Sequence, residues 1–225
     1  MPASRMTITD ISFEDIRKEL VFDKKLQEEI DDINLTYRSA IKEVTTKLEI
    51  LSDNFEMQNE YMPIHHIESR LKTIDSLVKK AERYGIPDPL KNLPRVRAEV
   101  YDIAGVRVIC NYRRDIYAIS RLLLKQSDVN LIRVKDYCEN PKNTGYRSLH
   151  VVISIPVFLV KERIHVPVEL QFRSIAMDTW ATLEHELRYK NNGELTEDIK
   201  DNLKRCADML ANIDKQMEEI RKQVL

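Results

Sequence analysis

Glycine is scarce, with only four in 225 residues. Neither GxxxxGK[ST] nor GxGxxG occurs, and so few glycines exclude a glycine-rich phosphate cradle; side chains would have to hold any phosphate. Cysteine is scarce too. Cys110, Cys138 and Cys206 are odd in number, widely spaced and outside any C-x-x-C arrangement, which suits a reducing compartment better than a disulfide framework or a zinc site. H-E-x-x-H is absent: "HELRY" at His185 lacks the second histidine, and His65 and His66 are adjacent rather than at i, i+4 spacing, so no catalytic zinc is expected. There is no run of about 18 apolar residues to span a membrane. The opening "MPASRMTITD" lacks the apolar core of a signal peptide, and a cytoplasmic protein is the expectation. Nor is there a charge of one sign. The 36 basic and 37 acidic side chains leave a net charge of −1, so no global field draws the chain to a membrane or nucleic acid, and neither partner is expected. Any anion site must be local.

What is present is an apolar content of 43%, enough for one sizeable core with long helical additions. From Leu26, the residues Ile30, Ile33, Tyr37, Ile41, Val44, Leu48, Leu51 and Phe55 recur at helical spacing. They predict one amphipathic helix of about 30 residues, roughly 45 Å long. Near the other end Ile199, Leu203, Cys206, Leu210, Ile213, Met217, Ile220 and Val224 repeat the pattern. These stripes either pack on each other and the central domain or, in part, join subunits. Between them a helix is predicted around Ile67 to Arg83, stopped at "YGIPDP" by Gly85 and two prolines. Strand-like runs follow: "GVRVICN", "VNLIRVKDYC", "SLHVVISI" and "IHVPVELQF". Helices are expected at Asp115 to Lys125 and Ile175 to Lys190, and the last two strands should form an antiparallel hairpin. The fold class is therefore α/β or α+β with a mixed sheet flanked by helices, rather than a doubly wound nucleotide fold.

Strand parity gives each run one polar side. Val166, Val168, Leu170 and Phe172 alternate with Pro167, Glu169, Gln171 and Arg173; Arg107 lies opposite Val106 and Val108, and His150 opposite Leu149 and Val151. If the apolar sides share a core, Arg107, His150, Glu169, Gln171 and Arg173 converge on the other surface, with Asp102 at the entry to its strand. Water could solvate such a surface. Two carboxylates among cations also suit Mg²⁺ flanked by phosphates, and Lys72, Lys79, Lys80 and Arg83 would add a cationic helical stripe. Tyr146, after Gly145 in a turn, could stack on a base or cover the core edge. Trp180, Leu183 and Leu187 share helical spacing, placing Trp180 against the sheet.

Four blocks, in order "IESRLKTIDSLVKKAERYGI", "YDIAGVRVIC", "NTGYRSLHVVI" and "VPVELQFRSIAMDTWATLEHELRYK", resemble the synthetase domain of RelA/SpoT-type alarmone synthetases over roughly residues 60 to 190. No "HD" dipeptide occurs, and the chain resembles the small, synthetase-only subfamily. The resemblance implies a nucleotidyltransferase-like domain at 61–192, preceded by a tail or short helix at 1–22 and a long helix at 23–60, and followed by a helix at 193–225. It implies transfer of the β,γ-pyrophosphate of ATP to the ribose 3′-hydroxyl of GDP or GTP, with Mg²⁺ as cofactor, in a homotetramer. Asp102 resembles the magnesium-binding aspartate, and Glu169 the glutamate between metal and 3′-hydroxyl, as metal ligand, base or both. Arg70 and Arg107 resemble the adenine sandwich, and Lys72, Lys80 and Arg83 the cations on the ATP phosphates. Tyr146 resembles the guanine-stacking tyrosine; Lys142 and His150 match positions near the acceptor phosphates, and Gln171 would help locate the acceptor. Asp178 departs from the asparagine of small relatives. Two other classes stay open: a non-catalytic nucleotide- or RNA-binding regulator, which has no need of both carboxylates, and a helical interaction protein, which leaves the polar sheet face unexplained.

Overall fold

A computed structural model of the chain describes residues 13–58, 61–191 and 195–224. Five strands, β1 (Ile64–Leu71), β2 (Ala104–Cys110), β3 (Asn130–Asp136), β4 (Leu149–Phe158) and β5 (Arg163–Ser174), form one sheet in the order β1-β2-β5-β4-β3. It is a mixed sheet, since only the central β2–β5 pair is parallel and the other three neighbours are antiparallel. β4 and β5 make the expected hairpin.

The apolar parity of the strands is met by helices. Val106, Val108, Val151, Ile153, Val168, Leu170 and Phe172 are buried in one cluster with Ile33, Tyr37, Val44 and Leu48 of α1 (Phe13–Met57) and Ile116, Ile119 and Leu123 of α4 (Arg113–Leu124). Each such side chain contributes about 1.5–3 kcal/mol by leaving water. α1 thus uses the stripe read from the sequence, but it starts at Phe13 rather than near Leu26 and runs for 45 residues, crossing the expected boundary at 22 without a break. Residues 1–12 of the expected tail, and the boundary at 192/193, lie outside the described residues.

The helix expected from Ile67 to Arg83 is instead a strand and then a helix. β1 pairs with β2 from Ile64 to Leu71, and α2 (Ile74–Arg83) begins only after Thr73, whose hydroxyl accepts from the Ser76 amide. That hydroxyl is an N-cap, which fixes the start of a helix; upstream of it, main-chain bonding to β2 overrides a weak helical pattern. α2 does stop where expected. Gly85, at φ +74°, takes the left-handed turn, and the Ile86 amide returns to the Ala81 carbonyl at 3.1 Å.

After α3 (Leu93–Glu99), which precedes β2, and α5 (Ile175–Lys190), which follows β5, the chain ends in α6 (Glu197–Val224). α6 departs from its pattern. Leu203 and Leu210 pack beside buried Ala207, but Ile199, Ile213, Met217, Ile220 and Val224 stay exposed. Its anchors are polar instead: Asp214 accepts from the Ser174 hydroxyl, and buried Arg221 reaches Asp115 at 3.2 Å while lying 3.6 Å from the ring centre of Tyr61 and 4.7 Å from that of Tyr112. Trp180 faces α6 rather than the sheet, its indole N–H donating to the Leu203 carbonyl at 2.7 Å. A polar carbonyl on a neighbouring helix satisfies the indole, whereas the apolar sheet face offers no acceptor. Leu183 and Leu187 are exposed. Among the described residues no helix is long and apolar enough to cross a membrane.

Candidate active site

Strand register assembles the site on the face opposite the core. Across the sheet, Arg70, Gly105, Glu169 and Val152 form one row, and Glu68, Arg107, Gln171 and His150 the next. Residues in register share a face, so four strands that meet only through folding deliver these side chains to one surface. Gly105, lacking a side chain, leaves the floor between Arg70 and Glu169 open.

Asp102 sits in the turn before β2. There the Lys72 amide donates to the Ile103 carbonyl at 2.8 Å, drawing the end of β1 against that turn. Oδ2 of Asp102 lies 3.1 Å from Lys72 Nζ and 2.7 Å from Lys80 Nζ, whereas its buried Oδ1 has no partner. Lys80 comes from α2, and its charge also acts on Glu169. One ammonium is thus paired with Asp102 and adds to the positive field at Glu169.

Glu169 is held as an anion. Burial raises its carboxyl, but the hydrogen bond and charge of His150, the Gln171 amide and the Lys80 charge outweigh that and bring it down to about 2. His150 Nδ1 is 3.4 Å from Oε1, and Gln171 Nε2 donates to Oε2 at 3.1 Å. An ionised carboxylate only accepts, so Nδ1 donates to it, while Nε2 lies 2.8 Å from the Tyr146 hydroxyl. Tyr146 in turn accepts from Arg173 Nη2 at 3.0 Å. The result is a continuous chain of polar contacts from Arg173 through Tyr146 and His150 to Glu169.

The loop carrying Tyr146 is fixed from both sides. The Gly145 amide closes on the Lys142 carbonyl at 2.8 Å and the Lys142 amide on the Tyr146 carbonyl at 3.1 Å, so Lys142 Nζ stands 4.9 Å from the Tyr146 ring centre and 4.8 Å from that of Tyr137. On the other side Gly145 touches α6. Its φ is +92°, and a Cβ there would come within 2.6 Å of the Ala207 Cβ. Arg147 completes the contact by donating to the Gly145 carbonyl and to Asp208, each at 3.0 Å.

The structure therefore brings together Asp102, Lys72, Lys80, Glu169, His150, Gln171, Tyr146 and Lys142. Arg70 is exposed on β1 in the row beside Arg107, and Arg107 Nη1 donates to Glu68 at 2.8 Å. Arg83 stands exposed at the end of α2, its Nε donating to the Lys79 carbonyl at 3.2 Å; among the described residues it makes no ion pair with Asp102 or Glu169. Lys72 is not on the helical stripe read from the sequence, since it precedes α2. Tyr137 was not singled out by sequence. Its ring lies edge-on to His150, 5.2 Å away, and an aromatic just past the end of a strand was the available signal.

A divalent cation fits this donor set. The unpartnered Asp102 Oδ1 and the ionised Glu169 offer hard oxygen ligands, and among the described residues no group of three or more His, Cys, Asp or Glu forms a ready-made cage. Such a two-carboxylate set suits Mg²⁺ that shares its coordination with phosphate oxygens.

A family model described as a region found in RelA/SpoT proteins matches residues 69–194. This chain belongs to the RelA/SpoT family. Within the family it is similar to the GTP pyrophosphokinase YwaC of Bacillus subtilis (strain 168), 37% identical over 201 residues covering 89% of this chain and 94% of that one. YjbM of the same organism is 35% identical over 84% of this chain and 86% of its own. The small alarmone synthetase 1 from Bacillus subtilis, in a crystal structure bound to its product pppGpp, superposes with a TM-score of 0.80 at 34% identity, covering 88% of this chain and 98% of that one. Its structure bound to AMPCPP gives 0.74 at 31% identity over the same shares. The chain is thus a RelA/SpoT protein of the small-alarmone-synthetase subfamily. That kinship supports, in general terms, an enzyme of nucleotide transfer in alarmone synthesis.

Proposed function

We propose that this protein transfers the β,γ-pyrophosphate of ATP to the ribose 3′-hydroxyl of GDP or GTP, releasing AMP and forming ppGpp or pppGpp. The observation that carries the reading is the grouping on the polar side of the sheet of Asp102 paired with Lys72 and Lys80, the ionised Glu169, Arg70 and Arg107 in adjacent rows, and the half-buried Tyr146–His150 pair. Arg70 and Arg107, diagonal neighbours on β1 and β2, would flank adenine. Glu68 binds the edge of the Arg107 guanidinium, which leaves its planar face for the base. Lys72, Lys80 and Arg83 would neutralise the phosphates, Tyr146 would stack on guanine, Lys142 and His150 would meet the acceptor's phosphates, and Gln171, whose amide donates to Glu169, would help locate the acceptor.

Asp102 and Glu169 would hold Mg²⁺, which when bound supplies charge neutralisation on the pyrophosphate oxygens. The 3′-oxygen attacks the β-phosphorus as the bond from that phosphorus to the AMP oxygen breaks. The protein's part is alignment and electrostatics. Glu169, held at about 2, is a weak base. It is better suited to accept the 3′-hydroxyl's hydrogen bond and to act as an anionic ligand than to remove the proton outright. A homotetramer in the cytoplasm completes the proposal, with the exposed Ile213, Met217 and Ile220 face of α6 as subunit contact.

The test is incubation of the full chain with labelled ATP, GDP or GTP, and Mg²⁺. AMP and a guanosine tetra- or pentaphosphate should form together in equal amounts. AMP without a 3′-pyrophosphorylated product would refute the reading.

A further inference from the structure

We propose that Asp178 is a positioning residue that joins the donor and acceptor halves of the site by holding Arg107 and Arg173 with one carboxylate. The inference rests on the pyrophosphate-transfer reading, because that reading gives the two halves their nucleotides.

Asp178 lies in the first turn of α5, just after β5 ends at Ser174, whose hydroxyl caps the helix by accepting from the Met177 amide at 3.1 Å. This abrupt strand-to-helix turn brings the carboxylate back over the polar face. Its Oδ1 accepts from Arg173 Nη1 at 2.9 Å and lies 3.7 Å from Arg107 Nη1. The two arginines come from neighbouring parallel strands: Arg173 is in register with Ile109, and Arg107 lies two residues earlier on β2, on the same face.

Each guanidinium serves a different half. Arg107 belongs with Arg70 and Glu68 on the donor side. Arg173 donates to Gln171 Oε1 at 2.8 Å and to the Tyr146 hydroxyl at 3.0 Å, and lies 5.3 Å from the Tyr146 ring centre. In both arginines the buried Nε has no partner, so their orientation depends on contacts at the terminal nitrogens. Arg107 also has Glu68 at 2.8 Å, but the anion that meets both guanidiniums is the Asp178 side chain, only 16% exposed, without which they would repel. An acid in the first turn of a helix also favours the helix dipole, but that effect is indifferent to nucleotides.

Two variants separate the roles. Asp178→Asn keeps a carbonyl oxygen for Arg173 and removes the charge that attracts Arg107, whereas Asp178→Ala removes both. Calorimetric titrations of the full chain with a non-hydrolysable ATP analogue and, separately, with GDP read each half, and the unfolding midpoint is followed in parallel. Losing a charge-assisted contact to a guanidinium should weaken binding about tenfold. The Asn variant should lose that factor for the ATP analogue while GDP binding stays within about twofold, and the Ala variant should lose it for both. The inference is overturned if the Ala variant binds both nucleotides like the parent chain, or if the Asn variant leaves the ATP analogue unaffected. Product formation by the parent chain judges the function separately: a parent that binds both nucleotides without forming product sinks the pyrophosphate-transfer reading, while the titrations still decide Asp178.

Discussion

Replacing Glu169 with glutamine preserves shape and removes one charge, and the structure sets the size of the effect. Burial pushes the carboxyl up, but the hydrogen bond and charge of His150, the Gln171 amide and Lys80 bring it from 4.5 to about 2. At 1.4 kcal/mol per unit, these surroundings favour the anion by about 3 kcal/mol. Because the folded-state value is depressed, that stability is present above the unfolded value near 4.5 and is lost as pH falls toward 2. Glutamine cannot supply it. Urea unfolding at pH 7 should therefore show Glu169→Gln less stable by about 3 kcal/mol, with the two proteins converging near pH 2. Turnover should fall by about 100-fold or more while affinity for an ATP analogue changes by less than about threefold, since the lost interaction belongs to the transition state. A variant as stable as the parent at pH 7, or one with unchanged turnover, would refute the reasoning.

Three further outcomes follow from the same geometry. Tyr146→Ala should weaken acceptor binding by about 1–3 kcal/mol, the range for a base stacked on an aromatic ring, and normal GDP saturation would exclude the stacking role. Arg221→Ala leaves Asp115 buried beside two tyrosines with only the exposed Arg114, 3.9 Å away, as a cation, and thermal unfolding should report a loss of about 3–5 kcal/mol; a loss below about 1 kcal/mol, as for a surface pair, would show that α6 is anchored elsewhere. Gly145→Ala puts a Cβ 2.6 Å from that of Ala207 at a φ of +92°. It should raise the KM for GDP more than that for ATP, because the displaced loop carries Tyr146, and equal effects on both would contradict this.

The hairpin strands are legible because β5 alternates strictly from Val166 to Arg173 and β4 does so from Leu149 to Val151 before Val152 interrupts it, and this parity puts Glu169, Gln171, Arg173 and His150 on one face. β1 was missed for the opposite reason. "IHHIESRL" has few apolar residues, lies at a sheet edge and is held by main-chain bonds to β2, which leave no trace in side-chain periodicity. The signal in the sequence is Thr73, a capping residue within the stretch whose pattern predicts one continuous helix. α6 differs in another way: periodicity marks where apolar residues recur but cannot show that Asp214 and Arg221 have Ser174 and Asp115 as partners. The carboxylates and lysines were found as residue types at suggestive places. That Lys80 of α2 pairs with Asp102 in the turn before β2 depends on the tertiary fold, which no local pattern encodes.

The most direct test of the central claim is a crystal structure of this chain with a non-hydrolysable ATP analogue, GDP and Mg²⁺. Adenine should lie between Arg70 and Arg107, guanine against Tyr146, and the ion and the 3′-hydroxyl beside Asp102 and Glu169. Nucleotides bound on separate surfaces, or an acceptor ribose turned away from Glu169, would contradict the account.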